Sequence, residues 1–328
     1  MTVRRVIVVG YPAAQLLDIA CVTSTLESAN WFGAVPPYHV RLATPGGHAI
    51  TCASGLTLHS QEALEQVKGP LDTIVVSGGI GHAAAAGNAL IVAHVRRLAR
   101  ESRRIASVCT GAEVLAATGL LDGRRATTHW QWARDLAAKY PRVLVDPDPI
   151  FIRDGDIATS AGVTSALDLT LAFIEEDNGA QVARQVARNL VTYLQRPGNQ
   201  AQMSMFTAPP PPDNSLVKRV IGHITANLDG DLTTATLAAG AGVSERHLTR
   251  LFLKHVGLTP GRFVRQARTE AAAHLLTSTS LPMAVVAAQC GFGAAETLRQ
   301  AFVGRYGVSP SRYRMTQSST MTYTPAPG

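Results

Sequence analysis

Residues 248–263 read LTRLFLKHVGLTPGRF, and residues 298–313 read LRQAFVGRYGVSPSRY. Leu248 matches Leu298, Phe252 matches Phe302, and Gly257, Pro260 and Arg262 match Gly307, Pro310 and Arg312. One small supersecondary unit is therefore written twice, fifty positions apart. In the first copy Leu248, Leu251 and Phe252 recur at helical spacing and predict a buried face, leaving Arg246, Thr249 and Arg250 on the other side. Upstream, LAAGAGVSERHLTRLF (237–252) gives a short Ala-rich helix, a turn at Gly242 and a favoured N-cap at Ser244. The second copy, VAAQCGFGAAETLRQAF (286–302), repeats the pattern with Gly291 at the turn. Leu298, Ala301 and Phe302 then face inward, and Glu296, Arg299 and Gln300 outward.

A single such pattern also describes an ordinary helical hairpin with solvated charges. Two on one chain suggest a partner that repeats, and DNA offers successive major-groove segments ~34 Å apart. An exposed Arg/Thr face suits that groove, because Arg can bond bidentately to guanine edges. The helix around Arg265–Leu276 would hold the two units together.

Charge points the same way. The 328 residues carry a net charge of +7. Residues 1–212 hold 18 basic and 17 acidic groups, whereas residues 213–328 hold 12 and 6, so the excess sits in the repeated segment. Arg supplies 26 of the 30 basic residues, as a GC-rich genome would also do, so location weighs more than the total. An apolar content of 46% is ample for buried cores, and no apolar run is long enough to span a membrane. The opening MTVRRVIVVGYP superficially resembles a signal peptide, but its short apolar run ends at Pro12 and reads as a first strand, which implies a cytoplasmic, nucleoid-associated protein. Cys21, Cys52, Cys109 and Cys290 are too scattered for a metal, redox or disulfide framework, and nothing calls for a cofactor.

Composition divides the chain. Up to residue 195, β-branched runs (Val6–Val9, His39–Ala43, Thr73–Val76, Ile105–Val108) alternate with amphipathic stretches such as Leu16–Trp31 and Leu90–Ala99, predicting a parallel sheet covered on both faces. Shorter β segments are expected around Ala126–Thr128, Val143–Val145 and Ile157–Ser160, then helices through Ser165–Glu176 and Ala180–Leu194. Residues 196–214 include Pro209–Pro212, an extended, semi-rigid spacer. Residues 215–316 read as short helices broken by Gly and Pro, and residues 317–328 as a disordered tail.

The chemistry-bearing stretch of the first domain is RRIASVCTGAEVLAATGLLDGRRATTHW, residues 103–130. A strand ends at Cys109 and a helix opens at Thr110–Gly111, an elbow that exposes a side chain at the top of a sheet. The helix N-terminus would favour the thiolate. VSGGIG (76–81) follows another strand, where the N–H groups of Gly78 and Gly79 could hold an anion. Asp18 follows the first strand and His129 a later segment, both within reach of the same sheet edge. Plainer readings exist for each: a free cysteine is often a small buried hydrophobe, Gly-Gly is often only a turn, and His129–Trp130 could be packing.

The C-terminal segment, with its second-half signature GFGAAETLRQAFVGRYGVSPSRYR, resembles the AraC/XylS family of bacterial transcription regulators. The resemblance implies base contacts from Ser244, Arg246, His247, Thr249 and Arg250 in one recognition helix and from Ala295, Glu296, Thr297 and Arg299 in the other. Glu296 can accept from cytosine but repels phosphate, and the alternative is pairing with Arg299 or Arg305. The first helix is thus expected to carry more of the reading. Residues 4–175 resemble the DJ-1/PfpI superfamily, a flavodoxin-like α/β sandwich related to class I glutamine amidotransferases. Asp18, Cys109 and His129 match positions lining the reactive-cysteine pocket there, and Asp18 with the CTG around Cys109 is similar to isocyanide hydratases. Proteolytic members place His directly after the cysteine, where this chain has Thr110. Glu113 sits where relatives carry an apolar or aromatic residue.

Taken over nearly the whole chain, the resemblance is to the GlxA-type branch of AraC-family regulators. It implies a homodimer that binds promoter DNA, contacts RNA polymerase and senses an unidentified small molecule near Cys109, Asp18 and Gly79. The competing expectations are a Cys109-dependent hydratase or hydrolase tethered to a DNA-binding domain, and a Cys109 redox sensor.

Overall fold

A computed structural model describes residues 3–192, 196, 198, 202 and 214–318. It divides into two compact units, residues 1–202 and 203–328. The proline run Pro209–Pro212 and the tail from residue 319 lie outside the described residues.

In the first unit seven strands form one sheet: β1 (Arg4–Val9), β2 (Tyr38–Thr44), β3 (Glu62–Ala63), β4 (Leu71–Val76), β5 (Ser102–Val108), β6 (Phe151–Asp154) and β7 (Ile157–Ser160). Their order is β6-β7-β5-β4-β1-β2-β3, and every pairing is parallel except the antiparallel β6–β7 edge. Val6 lies opposite Val40 on one side and Thr73 on the other. The central strands are nearly continuous runs of buried Val, Ile and Ala, as a sheet covered on both faces requires. Six helices follow the strands: α1 (Leu16–Trp31), α2 (His82–Gly87), α3 (Ala89–Ala99), α4 (Gly111–Ala117), α5 (Ala133–Lys139) and α6 (Thr164–Asn189). α1 packs on α6, while α2 and α3 pack on α4. Strand order runs outward from the β1–β4 pair in both directions, so right-handed crossovers send the two helix groups to opposite faces. That pair is the topological switch point, where open α/β sheets leave a crevice at the strand C-termini.

The four longest expected strands and α1 lie where the hydrophobic pattern places them. β6 was not anticipated from the sequence: FIRD carries two charges in four residues, as an edge strand tolerates. The two expected terminal helices run as one, interrupted at Gly179 (φ +83°), a backbone that glycine adopts readily. After α6, Arg196 is held by Asp168 at 2.6 Å, and Gly198 C=O accepts from Phe151 N–H, so these residues still belong to the first unit.

The second unit is helical: α7 (Ser215–Ala226), α8 (Thr234–Gly240), α9 (Glu245–His255), α10 (Pro260–Ser278), α11 (Met283–Gln289), α12 (Ala295–Tyr306) and α13 (Pro310–Ser318). The sequence repeat becomes a repeat of contacts. Phe252 and Phe302 are fully buried. Phe252 meets Phe263 edge-on at 5.9 Å and 75°, and Phe302 meets Tyr313 at 5.1 Å and 75°. Gly257 and Gly307, at φ +78° and +71°, end α9 and α12. Thr259 and Ser309 then cap the next helix, accepting from Arg262 and Arg312 N–H with proline at the first turn.

Candidate functional sites: a buried cysteine elbow and two exposed helices

Cys109 directly follows β5 with φ +54°, the left-handed region that a non-glycine residue enters only under constraint. Its neighbours enforce the turn. A Cβ on Gly162 would fall 2.1 Å from Cys109 Cβ, and one on Gly111 would fall 2.4 Å from Val76 O. The expected strand–cysteine–helix elbow is therefore built, and its side chain is only 7% exposed.

Asp18, in the first turn of α1, is fully buried beside it. Oδ1 accepts from Val163 N–H at 2.6 Å, while Oδ2 is buried without a hydrogen bond of ordinary geometry. Burial pushes the Asp18 carboxyl up to about 6, against weaker lowering by Val163 N–H, Gly78 N–H and the Cys109 thiol. Burial, then the Asp18 charge, push the thiol up to about 12. The expectation of a helix-stabilised thiolate is thereby corrected: desolvation beside a carboxylate outweighs a helix start of two turns.

Two other expected participants are engaged elsewhere. Gly79 N–H donates to Thr110 Oγ1 at 2.9 Å, and the same hydroxyl donates to Gly79 C=O. Gly78 N–H is turned toward Asp18. The Gly-Gly turn is thus spent on internal bonds and presents no free pair of donors to an oxyanion. His129 accepts from Gln131 N–H and lies against Trp130 at 5.6 Å; among the described residues no hydrogen bond joins it to Cys109 or Asp18. Its neighbour Thr128 reaches the elbow instead, donating to Cys109 C=O at 2.9 Å. Gln202 braces that loop by donating to Thr128 C=O at 2.7 Å and accepting from Trp130 N–H at 2.8 Å.

Beside the elbow lies a cavity of about 150 Å³ lined by Thr110, Glu113, His82, Thr128, Trp132 and Lys139. Glu113, odd in the sequence, accepts from His82 Nδ1 and from Lys139 Nζ (2.5 Å). The His82 bond, then Lys139, hold its carboxyl below the usual range against the effect of burial. Trp132 packs edge-on to His82 at 4.6 Å. His82, Trp132 and Lys139 were not anticipated, because each sits on a short helix or turn without a motif. The unusual Glu113 was the only signal.

A thiol at about 12 predicts slow alkylation. At pH 8 Cys109 should react with iodoacetamide roughly a thousandfold more slowly in the native protein than in urea, because its thiolate fraction falls to the order of 10⁻⁴. Peptide mass analysis reads both rates, and equal rates would overturn the assignment.

In the second unit the two exposed helices differ. Ser244 caps α9, accepting from His247 N–H at 3.3 Å. Leu248 is buried, Arg246 and Arg250 are exposed, and His247 and Thr249 are half-buried. Arg250 Nη2 lies 3.0 Å from His247 Nδ1, which steadies the guanidinium without neutralising it. On α12, Ala295, Glu296, Thr297 and Arg299 are all exposed, but Arg299 makes two 2.7 Å bonds to Glu296. Glu296 pairs with Arg299; Arg305 pairs with Glu270 at 3.1 Å. Of the two helices, it is therefore α9 whose arginines have no carboxylate partner among the described residues.

An α/β sandwich with a buried elbow cysteine, on one chain with two helix-turn-helix units sharing a long helix, defines the class of two-domain helix-turn-helix proteins with a DJ-1-like first domain. Residues 5–176 match the DJ-1/PfpI family and residues 237–316 match the family described as helix-turn-helix domain. The chain is 32% identical over 303 residues to the HTH-type transcriptional regulator CdhR of Pseudomonas aeruginosa, covering 92% of this chain and 89% of that one. It is 30% identical over 308 residues to the HTH-type transcriptional regulator GlxA of Rhizobium meliloti, covering 93% of each. Its first domain is also similar to an isonitrile hydratase of Pseudomonas putida, 33% identical over 180 residues, or 55% of this chain and 75% of that enzyme. The chain belongs to the GlxA-type family, in which a DJ-1/PfpI domain precedes an AraC-type helix-turn-helix domain.

Proposed function

We propose that this protein is a sequence-specific transcriptional regulator that binds promoter DNA through α9 and α12. The observation that carries the reading is the repeated unit itself: two aromatic-locked helices, each with a polar face exposed, on the basic half of the chain. α9 supplies most of the base reading, since among the described residues Arg246 and Arg250 have no carboxylate partner whereas Arg299 must leave Glu296 to reach a base. The protein works as a homodimer in the cytoplasm, contacts RNA polymerase, and uses its first domain to sense a small molecule in the crevice by Cys109, Asp18 and Glu113. Ligand binding changes DNA affinity only if the two states of the protein bind that ligand unequally.

The elbow favours sensing over a Cys109-dependent hydratase reaction. A hydratase needs a thiolate or an activating base at the sulfur. Here the thiol is held protonated, no imidazole bonds to it among the described residues, and the nearby Gly78 and Gly79 N–H groups are committed; the base beside the sulfur is the Asp18 carboxylate, whose charge raises the thiol, so such a reaction would have to run through Asp18. The same protonation disfavours fast oxidation to a sulfenic acid.

Arg250→Ala is expected to weaken binding to the cognate site by ~1–3 kcal/mol while leaving non-specific binding close to wild type. Fluorescence anisotropy on DNA from upstream of the protein's own gene, with competitor DNA and a salt titration, measures both. Equal losses on specific and random duplexes would remove Arg250 from the base-reading set.

A further inference from the structure

We infer that the groove between the two helix-turn-helix units, centred on Arg265 of α10, seats the DNA phosphodiester backbone between the two stretches of major groove. The inference rests on the DNA-binding reading above and adds to it a contact that carries affinity without sequence preference.

α10 has 19 residues and so spans about 28 Å. That approaches the ~34 Å between successive major-groove segments on one face of DNA. A duplex read by both α9 and α12 must therefore carry a phosphate strand past α10. A cavity of about 430 Å³ opens there, lined by the start of α10, the loop before α8 and the turn into α12, including Thr297. Thr297 is exposed and belongs to the reading helix, so the groove is continuous with the face proposed to meet bases.

The floor of the groove is cleared. A Cβ added to Gly261 or Gly293 would meet no atom within 4 Å, so a bulky backbone can approach closely. Two arginines line it with different duties. Arg268 donates to Leu228 C=O at 2.8 Å and Gly230 C=O at 2.6 Å, and fixes the wall. Arg265 is exposed, and among the described residues its guanidinium has neither an ion pair nor a hydrogen bond. The one acidic lining residue, Asp231, is occupied with capping α8, accepting from Thr233 N–H at 3.1 Å and Thr236 Oγ1 at 2.8 Å. A free guanidinium in an open groove of net positive charge matches a phosphate, which Arg binds in fork geometry. Of the lining residues only Thr297, at its edge, belongs to the set proposed to meet bases.

The test is fluorescence anisotropy of the full-length protein on the cognate duplex and on a random duplex, each across a salt series. Arg265→Ala should weaken both by a similar factor, roughly fivefold, and make the slope of log K against log salt shallower by about 0.9. Gly261→Asp should weaken both as well. It places a carboxylate in the groove at a helix position where acidic residues are tolerated, so circular dichroism should be unchanged. Wild-type affinity and slope in Arg265→Ala would overturn the proposal while leaving the reading helices intact. A loss confined to the cognate duplex would also overturn it, making Arg265 a base reader. Wild-type protein that binds neither duplex would overturn the DNA-binding reading itself.

Discussion

Phe252→Ala should abolish specific DNA binding by loosening the first helix-turn-helix unit from within. Phe252 is fully buried, shares a core with Val217, Val220, Ile224, Leu237, Leu248 and Val264, and meets Phe263 edge-on. Removing a buried phenyl ring costs ~3–5 kcal/mol, from the transfer term plus the cavity left behind. A small domain has only ~5–15 kcal/mol to lose. Hydrogen exchange on the full-length variant should show lost protection in α7–α10, with α1–α6 unchanged, and anisotropy should show the cognate site no longer preferred. Leu253→Ala, one residue on but half exposed, should stay within about 0.5 kcal/mol of wild type. Wild-type protection in Phe252→Ala would show that the paired aromatics do not lock the unit. Phe302, held between Tyr306 and Tyr313, should behave alike in the second unit.

Phe252 was legible in the sequence because its role is periodic. A residue that recurs at helical spacing in two copies declares its buried face, and the same spacing leaves Arg246 and Arg250 outside. The parallel sheet was legible for a similar reason: strands buried on both faces are continuous apolar runs. The elbow was placed correctly because a strand must end at Cys109 before Gly111 can open a helix. Its chemistry was not legible. Whether a cysteine becomes a thiolate depends on what lies within a few ångströms, and here α1 brings a buried carboxylate across from ninety residues away. His129 shows the same limit from the other side. It sits one residue from the contact that matters, yet Thr128 makes that contact while the imidazole turns to Gln131. The Glu113–His82–Lys139 cluster combines three residues from three short helices, and no local pattern joins them.

Asp18 provides the sharpest test of the elbow, because its cost to the fold depends on pH. Its carboxyl stands at about 6 in the folded protein against an ordinary value of 3.8, chiefly through burial. A proton bound more tightly by the native state favours folding, so this contribution is fully present below about pH 3.8 and is lost as pH rises through about 6. The difference corresponds to ~3 kcal/mol of stability missing at neutral pH. Other carboxylates act oppositely: Glu113 and Asp177, held below their usual range by His82, Lys139 and the Arg104 side chain, lose stability as pH falls. A single pH profile therefore mixes both signs, and only a difference separates them. Asp18→Asn keeps the oxygen that accepts from Val163 N–H but cannot ionise. Its stability relative to wild type should rise by about 2.4 kcal/mol between pH 4 and pH 7, whatever fixed offset the amide introduces, and urea unfolding of the full chain at several pH values measures this. A constant difference across that range would mean that Asp18 titrates normally and that the pocket is wetter than its burial indicates, so that desolvation, the chief cause of the raised Cys109 thiol, is weaker than the elbow geometry implies.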